Sequence, residues 1–224
     1  MCTLTIFPSK EGLIITMNRD ENRNRGEGAD LIEDKNRIYP YDTKSKGTWF
    51  GISKNNFAIA LLNRYQDNIK NTTLSRGRFI PQLLLEQNIK SILNKFKQIH
   101  DINDNPLDLF IIFMDKIINI KWDGNVLNQI EYKTYSPLFF TSSSERFKEV
   151  FEFRRQSFEK FIKKNNKIDS DLILNDLHLY KESSDKKSAI LMSRKLTHTK
   201  SICQFILNND KKNILSRFNQ CQSN

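Results

Sequence analysis

Residues 2–21 constrain this chain more than any other stretch. Cys2, Leu4, Ile6 and Pro8 alternate with Thr3, Thr5 and Phe7, the period-two pattern of a strand. Leu13-Ile14-Ile15-Thr16-Met17 is apolar and β-branched and makes a second strand. Ser9-Lys10-Glu11-Gly12 lies between them. Gly12 supplies the left-handed residue that closes a three-residue loop, Lys10-Glu11-Gly12. With that loop Ser9 pairs with Leu13, Leu4 with Asn18 and Cys2 with Asp20. Opposed residues share a sheet face, so Cys2, Asn18 and Asp20 are expected on one face and Arg19 on the other. The hairpin ends in a dense polar quartet, Asn18-Arg19-Asp20-Glu21.

Cys2 directly follows the initiator methionine. A small penultimate residue normally allows Met1 to be removed, leaving a free α-amine beside the thiol. The unperturbed amine titrates at roughly 7.7–8 and the thiol at roughly 8.5. One residue then holds a nucleophile and a near-neutral base, and Asp20 is the group expected to orient that base. The plainer reading is a small buried strand cysteine and a turn carboxylate.

The length, 224 residues, suits one domain with a substantial core. No apolar run is long enough to span a membrane, and Pro8, Lys10 and Glu11 interrupt any signal-peptide core. Three cysteines without a CxxC point to a reducing compartment, so a cytoplasmic location is expected. The formal charge is +10, but 26 acidic residues are interspersed with 36 basic ones, so no nucleic-acid partner is expected. Only seven glycines occur and none forms a phosphate loop; His100, His178 and His198 are scattered, and no metal site is expected.

Residues 22–46 are polar and read as loop, with Arg23 and Arg25 as candidates to meet an anionic group. Thr48–Ser53 and Phe57–Asn63 form a second hairpin around Lys54-Asn55-Asn56. Asn63 ends its strand, where its amide could donate to a developing oxyanion. Leu85, Ile89, Ile92, Leu93 and Phe96 follow helical spacing, broken near Gln87-Asn88. Leu109–Met114, Ile117–Trp122, Val126–Tyr132 and Pro137–Thr141 read as strands. Ser142 and Glu145 fit a capping box, which gives Ser142 either a capping role or a substrate-facing one. The following helix carries the stripe Phe147, Val150, Phe151, Phe158, Phe161 and Ile162. A short helix near Leu172–Leu177, a loop over 181–188, and a last hairpin of Ser201–Leu207 and Asn213–Phe218 around Asn208-Asn209-Asp210 complete the chain. Strands in antiparallel order with interspersed helices give the α+β class.

Met1-Cys2-Thr3 and Asn18-Arg19-Asp20-Glu21, followed in order by Gly47-Thr48-Trp49-Phe50-Gly51-Ile52-Ser53, Ala60-Leu61-Leu62-Asn63 and Ser75-Arg76-Gly77, resemble the NRDE family of transport and Golgi organisation proteins. The resemblance is carried by residues 1–80 and implies a single NRDE-type domain over residues 1–224. That family in turn resembles the N-terminal nucleophile hydrolases, through the choloylglycine hydrolase and penicillin V acylase branch. The implied fold is a four-layer αββα sandwich of two mostly antiparallel sheets. The implied catalytic positions are Cys2, Asp20 and Asn63, with Asn18, Arg19, Trp49 and Ser142 as candidate substrate contacts. Two departures stand out. The hydrolase branch has an arginine three residues before its aspartate, where this chain has Met17. Its second asparagine is missing from Phe140-Thr141-Ser142-Ser143. Two functional classes follow. One is an amidohydrolase of small-molecule amides that needs no cofactor. The other is a non-enzymatic haem or lipid/acyl-CoA trafficking protein, with Cys2 or a histidine as a haem ligand.

Overall fold

The computed structural model describes residues 1–208 and 215–221. The described residues form two compact units, one of residues 1–25, 134–206 and 215–221, the other of residues 26–133 with 207–208.

The first unit opens with β1 (Cys2–Ser9) and β2 (Gly12–Asn22). Their turn has two central residues, not the expected three: Ser9 pairs with Gly12, Thr3 with Asn18 and Cys2 with Arg19. Ser9 Oγ accepts the Glu11 N–H and donates to the Gly12 carbonyl, closing the tight loop. Gly12 takes the required positive φ of 125° as the first residue of β2, not as the last of the loop. The slip of one residue reverses the expected faces. Cys2 and Arg19 share one face; Thr3, Asn18 and Asp20 share the other.

In the second unit β3 (Ile32–Glu33), β4 (Arg37–Tyr39), β5 (Phe50–Ser53), β6 (Phe57–Asn63), β7 (Leu107–Ile112), β8 (Lys116–Trp122) and β9 (Leu127–Lys133) form one antiparallel sheet in sequence order. The helices α1 (Phe79–Leu83) and α2 (Ile89–Ile99) lie between β6 and β7 in the chain. Alternate residues Phe57, Ile59 and Leu61 of β6 and Leu107, Leu109 and Ile111 of β7 pack with Phe79, Leu83, Ile92 and Phe96 of the helices. Asn88 caps α2 reciprocally with Ser91, which explains the break seen in the sequence pattern. The segment 22–46, expected to be loop, contains β3 and β4. Strands of two and three residues are too short to show a period. Two motif blocks meet here: Thr48 N–H donates to the Gly77 carbonyl at 3.1 Å, and a Cβ on Gly47 would lie 2.5 Å from that oxygen. Only glycine tolerates this approach.

The chain returns to the first unit with β10 (Leu138–Ser142), α3 (Phe147–Lys164), α4 (Ser170–Leu172) continuing as a π-helix over Ile173–His178, β11 (Thr197–Leu207) and β12 (Leu215–Gln220). The sheet order is β10-β1-β2-β11-β12. Ser142 ends β10 and does not cap a helix; α3 starts five residues later, behind Arg146 in the left-handed conformation. The expected turn at Asn209-Asp210 and the strand start at Asn213 lie outside the described residues. Phe7 and Ile14 on the Thr3 face of the sheet pack with Phe158, Phe161, Ile173 and Leu177. Helices therefore cover the face that carries Asp20. The α+β class with two antiparallel sheets is as expected from the sequence.

Candidate active site

Cys2 is buried and held by both backbone groups. Its N–H donates to Ser142 Oγ at 3.1 Å, and its carbonyl accepts the Thr141 hydroxyl at 3.0 Å. Register places Ser142 directly opposite Cys2, so this candidate contact does meet the thiol residue, as a strand neighbour. Burial pushes the Cys2 thiol above its usual value; the N-terminal ammonium pulls the other way, the Asp20 charge adds to the rise, and the Asp20 N–H and Arg19 oppose it. With Met1 in place the thiol is not activated.

Met1 extends the ladder by one pair. Its ammonium donates to the Asp20 carbonyl at 3.0 Å and its carbonyl accepts the Asp20 N–H at 2.9 Å. Asp20 thus reaches the amino end of the chain through its backbone. Its side chain turns to the helix-covered face. There Oδ2 accepts Arg154 Nη2 at 2.8 Å and Oδ1 accepts the Thr199 hydroxyl at 2.6 Å. The expectation that Asp20 lies across the ladder from Cys2 is corrected: Arg19 holds that position.

Arg154 is fully buried, as is the Asp20 carboxylate it meets. Its remaining donors go to Thr3 Oγ1 at 2.7 Å, Thr141 Oγ1 at 3.0 Å and the Ser188 carbonyl at 3.1 Å. A buried guanidinium with four satisfied directions meets the conditions under which such a charge is tolerated. The network also runs to Cys2, because Thr141 takes a bond from Arg154 and gives one to the Cys2 carbonyl. Sequence reasoning missed Arg154. A signal existed: it stands four residues after Val150 and four before Phe158, in the middle of the buried stripe of α3.

Asn18, expected to touch substrate, is instead built into the fold. Its amide nitrogen donates to the carbonyls of His178 (3.2 Å) and Ile190 (3.0 Å), and its oxygen accepts His178 Nδ1. The amide orientation fixes the tautomer: Nδ1 carries the proton, so Nε2 accepts the Thr5 hydroxyl at 2.7 Å. Burial drives His178 down to about 3, and the ring stays neutral. Arg19 is 3% exposed, on the Cys2 face, with Glu21 at 3.9 Å.

The other two expected positions belong to the second unit. Asn63 ends β6 opposite Leu107, and its amide donates to the Tyr65 hydroxyl at 2.9 Å. Trp49 is buried just before β5, where its carbonyl accepts the Leu61 N–H at 2.9 Å.

The family model for Transport and Golgi organisation 2 matches residues 1–215. The chain belongs to that family. A comparison with curated proteins by sequence finds no match. Among solved structures the chain is similar to the Caenorhabditis elegans ortholog of N-acylethanolamine-hydrolyzing acid amidase, with a TM-score of 0.57, 12% identity and coverage of 94% of this chain and 95% of that one. It is also similar to penicillin V acylase from Agrobacterium tumefaciens, with a TM-score of 0.56, 10% identity and coverage of 100% and 84%. A mutant of the conjugated bile acid hydrolase from Clostridium perfringens gives a TM-score of 0.53 at 12% identity, covering 100% of this chain and 97% of that one. At such identities the likeness shows the fold, that of the N-terminal nucleophile hydrolases. Among the described residues no cluster of three or more metal-ligating side chains occurs, and no helix is long and apolar enough to cross a membrane.

Proposed function

We propose that this protein is an N-terminal cysteine hydrolase of a small-molecule amide, active once Met1 has been removed. The observation that carries this reading is the pairing of Asp20 with the residue ahead of Cys2 on both of its backbone groups, while a buried Arg154 and Thr199 grip the Asp20 carboxylate. Removing Met1 frees the Asp20 N–H and carbonyl beside a new α-amine. Burying an ion pair contributes little net stability, so the Arg154–Asp20 pair is read as a positioning device. It supplies, from α3, the guanidinium that the resemblance places three residues before the aspartate, where Met17 stands.

In the proposed cycle the Cys2 thiol gives its proton to the α-amine and the sulfur attacks the amide carbon. The C–N bond breaks, the ammonium returns the proton to the leaving amine, and a thioester remains. Water then adds to the acyl carbon with its proton taken by the same amine, the C–S bond breaks, the ammonium returns the proton to the sulfur, and the carboxylic acid leaves. Ser142 Oγ, at 3.1 Å from the Cys2 nitrogen, and Asp20 hold that amine in place. Arg19, on the Cys2 face, is assigned the substrate as part of the same proposal. The test is a panel of N-acyl amides given to protein beginning at Cys2, read by intact mass. A mass gain equal to the acyl group, absent from Cys2→Ala, is expected. No acylation by any amide, with the thiol intact, would remove the reading.

One observation favours the non-enzymatic alternative. A cleft of about 730 Å³ in the first unit is lined by Leu179, Leu191 and Met192, with His198 at its wall. It has the volume for a haem, lipid or acyl-CoA cargo, and Arg23, Lys181 and Lys186 also line it. Burial first, then Arg23 and Lys200, hold His198 below its usual value and neutral, as a metal-binding imidazole must be. Its Nδ1, however, is sealed from solvent without a hydrogen-bond partner, which does not suit a ligand to an incoming iron through that nitrogen.

A further inference from the structure

The side chain of Met1 is buried in surroundings that do not match it. Its thioether sulfur faces Arg194 Nη1 at 3.3 Å and the Ser144 hydroxyl at 3.4 Å, with the Ser143 hydroxyl at 3.6 Å. A thioether is a weak acceptor and does not repay the largely buried Arg194 guanidinium for lost water. Ser143 is better served by the Glu145 carbonyl at 2.6 Å and by Arg194 Nη2 at 3.3 Å. Arg194 Nη1 also donates to Glu145 Oε2, and Nε donates to the Lys187 carbonyl at 2.9 Å, so the sulfur is the weakest of the acceptors this guanidinium meets; Ser144 approaches the sulfur from the exposed side. The nearest carboxylate to Nη1, Glu145 at 3.4 Å, is 69% exposed.

The electrostatics agree. The charged groups that act on Arg194 are Glu145, Arg154, Asp20 and Arg146. Arg154 and Asp20 neutralise each other as a buried pair. Beside Arg194 opens a cleft of about 260 Å³ lined by Arg146, Lys187, Arg194 and Lys195 against the one carboxylate of Glu145. That cleft is predominantly cationic, and Arg194, which lines it, also faces the sulfur.

Met1 also shows what else such a ligand would meet. The Asp20 carbonyl takes its ammonium and the Asp20 N–H takes its carbonyl. A glutamyl group has the same amine, the same carbonyl and the same two methylenes, and it carries a carboxylate where methionine has its sulfur. Its oxygens would receive charge-assisted bonds from Arg194 and Ser144, each about twice as strong as a neutral bond.

From these contacts we infer that the Met1 site, once vacated, is a recognition site for an α-amino acyl group ending in a side-chain carboxylate, with glutamate the best fit. Arg194 and Ser144 determine that specificity. This inference rests on the hydrolase reading for the removal of Met1 and names the substrate class of that site.

The test uses protein beginning at Cys2, released from a cleavable fusion, and calorimetric titration with L-glutamate, L-methionine and L-glutamine. L-Glutamate is expected to bind about tenfold or more tightly than either of the others. Arg194→Gln should abolish that preference, Ser144→Ala should weaken it, and the form that keeps Met1 should bind none of the three. Equal binding of methionine and glutamate, binding of none, or a preference that survives both substitutions would overturn the inference. Ser144 is exposed, so its variant keeps the test valid if Arg194→Gln fails to fold. Alkylation of Cys2 in the same preparation separates the two claims. A fast thiol without glutamate preference sinks only the specificity, whereas glutamate binding beside a sluggish thiol sinks the hydrolase reading and leaves the site.

Discussion

The two units bury different things beneath their helices. In the second unit α1 and α2 cover Phe57, Ile59, Leu107, Leu109 and Ile111, an apolar face. Its ionic knot lies off that sheet face, on the loop before β7, where the buried Asp104 takes two bonds from the partly exposed Arg78 and one from His100. In the first unit α3 and the π-helical turn cover Phe7 and Ile14, but also Asp20, Asn18, Thr3 and Thr5. There the helices bring their own polar partners, Arg154 and His178, into the sheet. Area burial explains the first arrangement. It does not explain the second, which costs desolvation and returns geometry. Arg154 lies two hydrogen bonds from the Cys2 carbonyl, through Thr141, and that is the reason offered for its burial with Asp20.

Four substitutions or conditions sharpen the contrast, beginning with the largest effect. Arg154→Met leaves the Asp20 carboxylate buried without its guanidinium, and a loss of ~3–5 kcal/mol is expected in denaturant unfolding. Adding Asp20→Leu to that variant should recover most of the loss, because the stranded charge is gone. Leu83→Ala in α1 removes apolar volume from the second unit and should cost ~2–5 kcal/mol, and no polar second change will rescue it.

Acid separates the units by pH. His178 is held at about 3 in the folded protein, below its unfolded value of roughly 6.5. The unfolded chain takes up that proton first as pH falls, so stability is lost from about pH 6.5 downward, by ~1.4 kcal/mol per unit from this residue. The second unit responds later. Burial alone would raise Asp104, but bonds from His100, Arg78 and the Asp101 N–H outweigh it and hold it at about 2. Its contribution is complete above roughly pH 4 and is lost as pH falls from there to about 2. Denaturant midpoints of the native protein and His178→Gln should therefore diverge in slope between about pH 6.5 and 3 and run parallel below. The smallest effect is on the solvent side of α3, where Glu152 and Glu159 flank Arg155. Glu152→Gln should leave stability unchanged within error.

Much of this was legible in the sequence. Period-two alternation found β1, a β-branched apolar run found β2, segments bounded by turn residues found β5 to β10, and the apolar stripe found α3. The register of β1 with β2 was not legible. Loops of two and three residues before Leu13 both call for Gly12, and the hydrophobic pattern of β1 tolerates either, being buried on both faces. That single slip changed the partner of Cys2 from Asp20 to Arg19. Ser142 was singled out as a cap or substrate group and proved to be a neighbour of Cys2 for another reason, the pairing of β10 with β1. Arg154 was passed over because an arginine in a helix is ordinarily solvated; its spacing from Val150 and Phe158 was the evidence against that.

The most direct measurement is the rate of Cys2 alkylation by a limiting dose of iodoacetamide at neutral pH. It is read by peptide mass in two forms of the protein, one retaining Met1 and one beginning at Cys2. The account predicts that Cys2 reacts slowly behind Met1, where burial keeps its thiol protonated, and that in the shortened form it outpaces both Cys203 and Cys221. Equal, slow reaction of Cys2 in the two forms would contradict the claim that Asp20 and its buried partners prepare an N-terminal nucleophile.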